Sequence, residues 1–189
     1  MKITVYGGTN NRSYSSKEIE TCEGLGIFLA KNGFEILTGA CGGYPYFVGR
    51  GAVTSGGSVI GYTPATTIED HINIYKFPTD GTTDLVFAEK YFKTESECYL
   101  RRSMDMTDYS DIVIALGGSW GTFSELIFSF FSKKKIIIVE EFGGAGQEFL
   151  HAYNFFAGRD NNAAVQNGAQ IVITKDIETL KEMLLADVK

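Results

Sequence analysis

The sequence predicts an α/β fold with a central parallel sheet covered by helices on both faces. Three observations carry that prediction. Short β-branched runs alternate with amphipathic helical stretches along the chain, the pattern of strand–helix–strand units joined by right-handed crossovers. Two of those runs, Ile112–Leu116 and Ile136–Val139, are apolar throughout, as strands buried on both faces are. Three turns that follow strands are rich in glycine: Gly7–Thr9, Gly39–Gly43 and Gly117–Thr122.

The elements follow in order. Ile3–Tyr6 is a strand, and a helix runs from Ser16 to Asn32 with Ile19, Leu25, Phe28 and Leu29 as its apolar stripe. Ser15 and Glu18 make a capping box at its start, and Gly33 suits its end. Phe34–Thr38 is the second strand, 46–55 a helix and Ser58–Tyr62 the third strand. The polar stretch from Thr63 to Asp84, with Pro64, Pro78 and Asp80-Gly81, reads as a long loop holding at most one short element. Leu85–Tyr91 is a strand, and Thr94–Tyr109 a helix opened by a second capping box, Thr94 with Glu97. Beyond the two buried strands, helices cover Thr122–Ser132, Gln147–Ala157 and Ile177–Ala186, with a last strand at Ile171–Thr174.

At 189 residues and 44% hydrophobic composition, the chain is sized for one domain spanning 1–189. A net charge of −6 argues against nucleic-acid polymers and anionic membranes as partners. Cys22, Cys41 and Cys98 show no pairing or zinc-type spacing and suit reduced thiols. Met1–Tyr6 enters a strand at once, and no apolar run approaches the roughly 20 residues of a membrane helix. The expectation is a soluble cytoplasmic protein with no metal site and no cofactor.

In an open parallel sheet, ligands bind beyond the carboxyl ends of the strands, where the winding direction switches. Three glycine-rich turns converging there make a polar cradle. The candidate binding residues are Gly7, Gly8, Thr9, Gly39, Gly42, Gly43, Gly118, Ser119, Trp120, Gly121 and Thr122. The last of these open a helix whose N-terminus favours an anion, so a phosphate-bearing small molecule is the first guess. No turn spells the dinucleotide fingerprint or a P-loop, which disfavours nicotinamide cofactors and ATP hydrolysis.

Arg102-x-x-x-Met106, Asp111 and Gly117-Gly-Ser-Trp-Gly-Thr-Phe-Ser-Glu125 together resemble the Lonely Guy (LOG) proteins. Their pattern is Arg-Lys with Met four positions after the Arg, then P-G-G-x-G-T-x-x-E. Gly7-Gly8-Thr9, the run from Leu29 to Gly39 and the run from Gly56 to Pro64 agree as well, so the resemblance covers residues 3–140. It implies a Rossmann-like fold, usually dimeric, in a wider group that includes molybdenum-cofactor carrier-like proteins. Active members are phosphoribohydrolases, which split nucleoside 5′-monophosphates into base and ribose 5-phosphate. Their catalytic Arg and Glu correspond to Arg102 and Glu125. The lysine decarboxylase label that many relatives carry has no support in these residues, since that chemistry needs a pyridoxal cofactor and its Schiff-base lysine. The chain departs from the pattern at Ser103, Gly117, Ser119 and Gly43-Tyr-Pro-Tyr46, all within the implied phosphate and base pockets.

The chemistry suits the residues. Breaking an N-glycosidic bond develops positive charge on the ribose, which a carboxylate stabilises or for which it orients water. Glu125 would do this if a neighbouring cation holds it ionised, and Arg102 can clamp phosphate or position the carboxylate. Thr122 and the N–H groups of Trp120 to Phe123 would hold the phosphate. Thr122-Phe-Ser-Glu125 is also a capping box, which would explain Glu125 by helix capping alone. Trp120 would stack on a base with Tyr44 or Tyr46, or make a packing or subunit contact. His71 and His151 read as surface or structural residues, Lys133–Lys135 as complementing the preceding helix dipole, and Cys41 as a small buried residue. The apolar helix 123–131 implies burial in the core or between the subunits of a homodimer. The leading expectation is a phosphoribohydrolase. The alternatives are a non-catalytic nucleotide- or pterin-cofactor-binding module, or a ribosyl or deoxyribosyl transferase.

Overall fold

The chain runs β1 (Lys2–Gly7), α1 (Ser16–Lys31), β2 (Glu35–Thr38), α2 (Tyr44–Thr54), β3 (Val59–Thr63), α3 (Ile68–Asn73), β4 (Asp84–Phe87) and α4 (Glu95–Tyr109). It continues β5 (Ile112–Leu116), α5 (Trp120–Phe131), β6 (Lys135–Val139), a 3-10 turn (Glu140–Phe142), α6 (Ala145–Ala157), β7 (Gln170–Thr174) and α7 (Ile177–Asp187). This is a computed structural model, and it describes residues 1–8, 13–88, 94–157 and 168–187. The seven strands pair in parallel, in the order β4-β3-β2-β1-β5-β6-β7. The architecture is the expected Rossmann-like α/β fold.

Local chemistry sets the element ends. Ser15 with Glu18 and Thr94 with Glu97 form reciprocal capping boxes at α1 and α4. α2 starts at Tyr44, two residues before the expected position, because Pro45 is tolerated in a first turn where its missing N–H removes no helical bond. The expected loop between β3 and β4 contains α3, opened by the Thr67 side chain accepting from the Asp70 N–H. β4 is shorter than expected; residues 89–91 of the predicted strand lie outside the described residues.

Alternation along the strands feeds two cores. Ile3, Val5, Ile114 and Leu116 face Leu25, Leu29, Val48 and Leu180 of α1, α2 and α7. Tyr6, Val113, Ala115 and Ile136 face Met106, Leu126 and Phe149 of α4, α5 and α6. Fully burying such an apolar side chain contributes roughly 1.5–3 kcal/mol. Helices α1 and α2 pack backbone against backbone: a β-carbon at Gly26 would collide with the Val48 carbonyl, and one at Gly51 with the Glu23 carbonyl.

In the lysine run after α5, the middle residue also ties a neighbouring helix. Lys134 reaches the neighbouring α4, donating to the Asp108 and Ser110 carbonyls at 3.0 and 2.8 Å. No helix among the described residues is long and apolar enough to cross a membrane.

Strands β1 to β4 step outward on one side, and α4 then returns the chain to place β5 against the free edge of β1. Winding therefore reverses between β1 and β5, where the Gly8 N–H donates to the Leu116 carbonyl at 3.1 Å. That reversal sets the turns after β1 and β5 side by side.

Candidate functional site

A cavity of about 610 Å³ opens at this reversal, beyond the carboxyl ends of the strands. Its walls come from the end of β1 (Tyr6, Gly7), the turn after β2 (Gly39, Cys41, Gly42), α4 (Tyr99, Arg102) and the start of α5 (Ser119, Gly121, Thr122, Glu125). The connection from α3 to β4 completes it with Tyr75, Lys76, Phe77 and Pro78.

Gly117 and Gly118, at φ +67° and +94°, make the turn into α5 in a backbone region closed to most side chains. Ser119 takes the N-cap position, but its side chain makes no capping hydrogen bond. Thr122 lies inside the helix and turns its hydroxyl to the Gly7 carbonyl at 3.3 Å. The capping box read from Thr122 and Glu125 therefore does not form. The Phe123 N–H is taken by the Ser119 carbonyl at 2.8 Å, which leaves the N–H groups of Trp120, Gly121 and Thr122 for an anion.

Glu125, one turn further, is buried, and its Oε1 accepts from the Ser103 hydroxyl at 2.9 Å. Burial pushes its carboxyl up to about 7, against the opposing pull of the Arg102 charge and the Ser103 hydrogen bond. It makes no ion pair among the described residues; the neighbouring cation, Arg102, acts on it through space. Arg102 is engaged elsewhere. Its Nη1 donates to the Gly39 carbonyl at 2.6 Å and the Tyr62 carbonyl at 3.4 Å, and its guanidinium lies 4.9 Å from the Tyr99 ring centre. Its buried Nε has no hydrogen-bond partner among the described residues. A β-carbon on Gly39 would stand 3.2 Å from the guanidinium nitrogens, so glycine there admits the fork.

Beneath Glu125 lies a closed set of hydroxyls. The Tyr6 hydroxyl is 2.6 Å from Thr107 Oγ1 and donates to the Ser103 carbonyl at 3.2 Å, which Thr107 also reaches at 2.7 Å. Burial pushes the Tyr6 phenol well above its ordinary range, so it stays neutral. The Cys41 thiol is likewise raised by burial against the pull of Arg102, which disfavours a nucleophilic thiolate.

Of the residues singled out from sequence, Gly7, Gly39, Gly42, Arg102, Ser119, Gly121, Thr122 and Glu125 surround this cavity. Gly8 and Gly43 do not line it: Gly8 accepts from the Tyr44 N–H at 3.0 Å, and Gly43 caps α2 at φ +93°. Gly118 and Trp120 face a second concavity between α5 and α6, where Trp120 is 85% exposed. Thr9 lies outside the described residues. Tyr44 donates to Glu18 at 2.6 Å and Tyr46 to Asp80 at 3.0 Å, so neither is placed to stack in the cavity. His71 is fully buried, with Thr63 and the Pro78 carbonyl as partners. The sequence reading missed Tyr75, Lys76, Phe77, Pro78 and Tyr99, most of them in a stretch without periodicity. It also missed Ser103 as the partner of Glu125, noting it only as a departure from a family pattern. No group of three or more His, Cys, Asp or Glu among the described residues is placed to hold a metal.

No curated protein matches the chain. Among solved structures it is similar to TM1055, a structural-genomics target, at 22% identity and a TM-score of 0.76, covering 98% of each chain. It is similar to the molybdenum cofactor binding protein of Rippkaea orientalis at 20% identity and 0.70, covering 100% of this chain and 97% of that one. DNA processing protein A of Helicobacter pylori matches at 18% and 0.67, over 99% of this chain and 81% of that one. These likenesses are likenesses of fold. The last corrects the expectation that nucleic-acid polymers are excluded, because that protein of the same fold has a single-stranded DNA binding mode. Net charge averages over a whole surface, whereas a strand is held by local potential and backbone donors. The match in sequence is to the model of the SLOG cluster4 family, which spans residues 1–172 and so takes in every described wall of the cavity; the chain belongs to that family.

Proposed function

We propose that this chain is a nucleoside 5′-monophosphate phosphoribohydrolase with Glu125 as its catalytic carboxylate. The observation that carries the reading is the buried Glu125 carboxyl, poised at about 7, in a cavity bordered by the uncapped start of α5. The free N–H groups of that helix and its dipole take the 5′-phosphate. The ribose then lies over Glu125. In its ionised form the carboxylate takes a proton from the attacking water and stabilises positive charge growing on the sugar. The C1′–N bond breaks with its electron pair going to the base nitrogen, which picks up a proton from solvent. Arg102 supports the ionised form through space. This chemistry needs no cofactor.

The test is release of free base from 5′-monophosphates, followed by chromatography. Glu125→Gln is expected to lower kcat/KM by roughly 10²- to 10⁴-fold. The wild-type profile should rise with pH through about 7 and then level. A rate independent of Glu125 overturns the assignment.

A second reading, a pterin-cofactor carrier, is favoured by the Arg102 fork being spent on backbone carbonyls and by the cofactor-binding relative from Rippkaea orientalis. It expects saturable binding without turnover, and affinity indifferent to Glu125→Gln. With either activity we place a homodimer through the exposed apolar groove between α5 and α6, lined by Phe123, Ile127, Phe131 and Phe156. The unbridged Cys22, Cys41 and Cys98 suit a reducing cytoplasm.

A further inference from the structure

The side of the cavity away from α5 is made by Tyr75, Lys76 and Tyr99. This side is braced. The His71 ring holds Thr63 Oγ1 at 2.9 Å and the Pro78 carbonyl at 3.2 Å, and the Phe77 N–H donates to the His71 carbonyl at 3.1 Å. The Tyr75 and Tyr99 rings meet edge to face at 6.4 Å, with Arg102 behind Tyr99. Between these fixed neighbours Lys76 adopts a left-handed φ of +55°, which a side chain bearing a β-carbon rarely takes. Strain of this kind gathers at ligand clamps. Lys76 is exposed and makes no ion pair among the described residues.

The cavity sets the layout. It runs from the start of α5 to the connection between α3 and β4 that carries Lys76. A nucleotide lying along it has its phosphate at α5 and its ring at Lys76. Aromatic faces accept any flat heterocycle, but the polar groups discriminate. Lys76 and Arg102 are donors only. No Asn or Gln, the types that pair with the mixed donor–acceptor edge of adenine, lines the cavity among the described residues. Lysine pairs with the O6 and N7 acceptors of a 6-oxopurine.

Resting on the reading of the cavity as a nucleotide site, we propose that Tyr75, Tyr99 and Lys76 form its base-recognition slot, in which a 6-oxopurine ring rests against the tyrosine pair rather than between its touching rings. The test is calorimetric titration of the Glu125→Gln protein with inosine 5′-monophosphate, adenosine 5′-monophosphate and ribose 5-phosphate. Inosine monophosphate is expected to bind on the order of tenfold tighter than adenosine monophosphate. Lys76→Met should abolish that preference, and Tyr99→Leu or Tyr75→Leu should weaken both nucleotides on the order of tenfold. Ribose 5-phosphate should bind all variants alike, which reports an intact phosphate cradle. Equal affinity for the two nucleotides, binding of neither, or indifference to the substitutions overturns the slot. The two readings fail separately. A Lys76-dependent preference in a wild-type protein that releases no base removes the hydrolase and keeps the slot; base release at equal rates from both nucleotides, without a Lys76 effect, does the reverse.

Discussion

A carboxyl buried beside a single hydroxyl donor holds its proton, and Glu125 does so up to about 7 against an ordinary 4.5. Between those two values the folded chain binds more protons at this site than the unfolded chain. Stability from this group is therefore greatest below about 4.5, falls as pH rises, and levels off above 7. Glu125→Gln removes the dependence. At pH 8 the variant should be more stable than wild type by up to roughly 3 kcal/mol, with the gain vanishing near pH 4.5, as read by thermal melts. An identical shift at both pH values would place the effect in packing rather than ionisation. Arg102 and Glu125 were legible in sequence because their spacing matches a known pattern. The hydroxyl behind Glu125 was not: Ser103 and Glu125 meet through the packing of α4 on α5, which no spacing reports. A Thr-x-x-Glu run likewise does not say whether its threonine starts a helix or lies inside one. Here the turn glycines begin α5 earlier, and Thr122 spends its hydroxyl on Gly7.

The elements divide along similar lines. Both capping boxes and the two strands buried on both faces were readable, because local chemistry decides them. α3 was foreseen only as one short element in a loop, and the aromatic segment after it not at all, since His71 fixes that segment through Thr63 and the Pro78 carbonyl, contacts that leave no periodic signal. The contact of α1 with α2 makes a direct test of element packing. Gly51→Ala should cost about 1–3 kcal/mol in denaturant unfolding, because its methyl group meets the Glu23 backbone. Gly24→Ala, on the same helix as Gly26 but with no atom within 4 Å of the new carbon, should instead stabilise by about 0.5–1 kcal/mol. If both substitutions destabilise alike, the close approach of the two helices is wrong.

At the scale of the molecule, the described residues include an uncovered apolar groove. Phe131 is 64% exposed and Phe156 55%, on the groove between α5 and α6. Sedimentation should give a dimer at micromolar concentration, and Phe131→Asp with Phe156→Asp should give a folded monomer; a wild-type monomer refutes that pairing. The strand order has a further effect, on how the protein is made. β1 leaves the ribosome before the other six strands yet sits mid-sheet, with Ile3 beside Ile112 of β5. Synthesis at roughly 5–20 residues per second leaves that edge of β1 open for several seconds after the strand emerges. The first four strands must survive this interval with an unpaired apolar border, and the cavity comes into being only when β5 closes it.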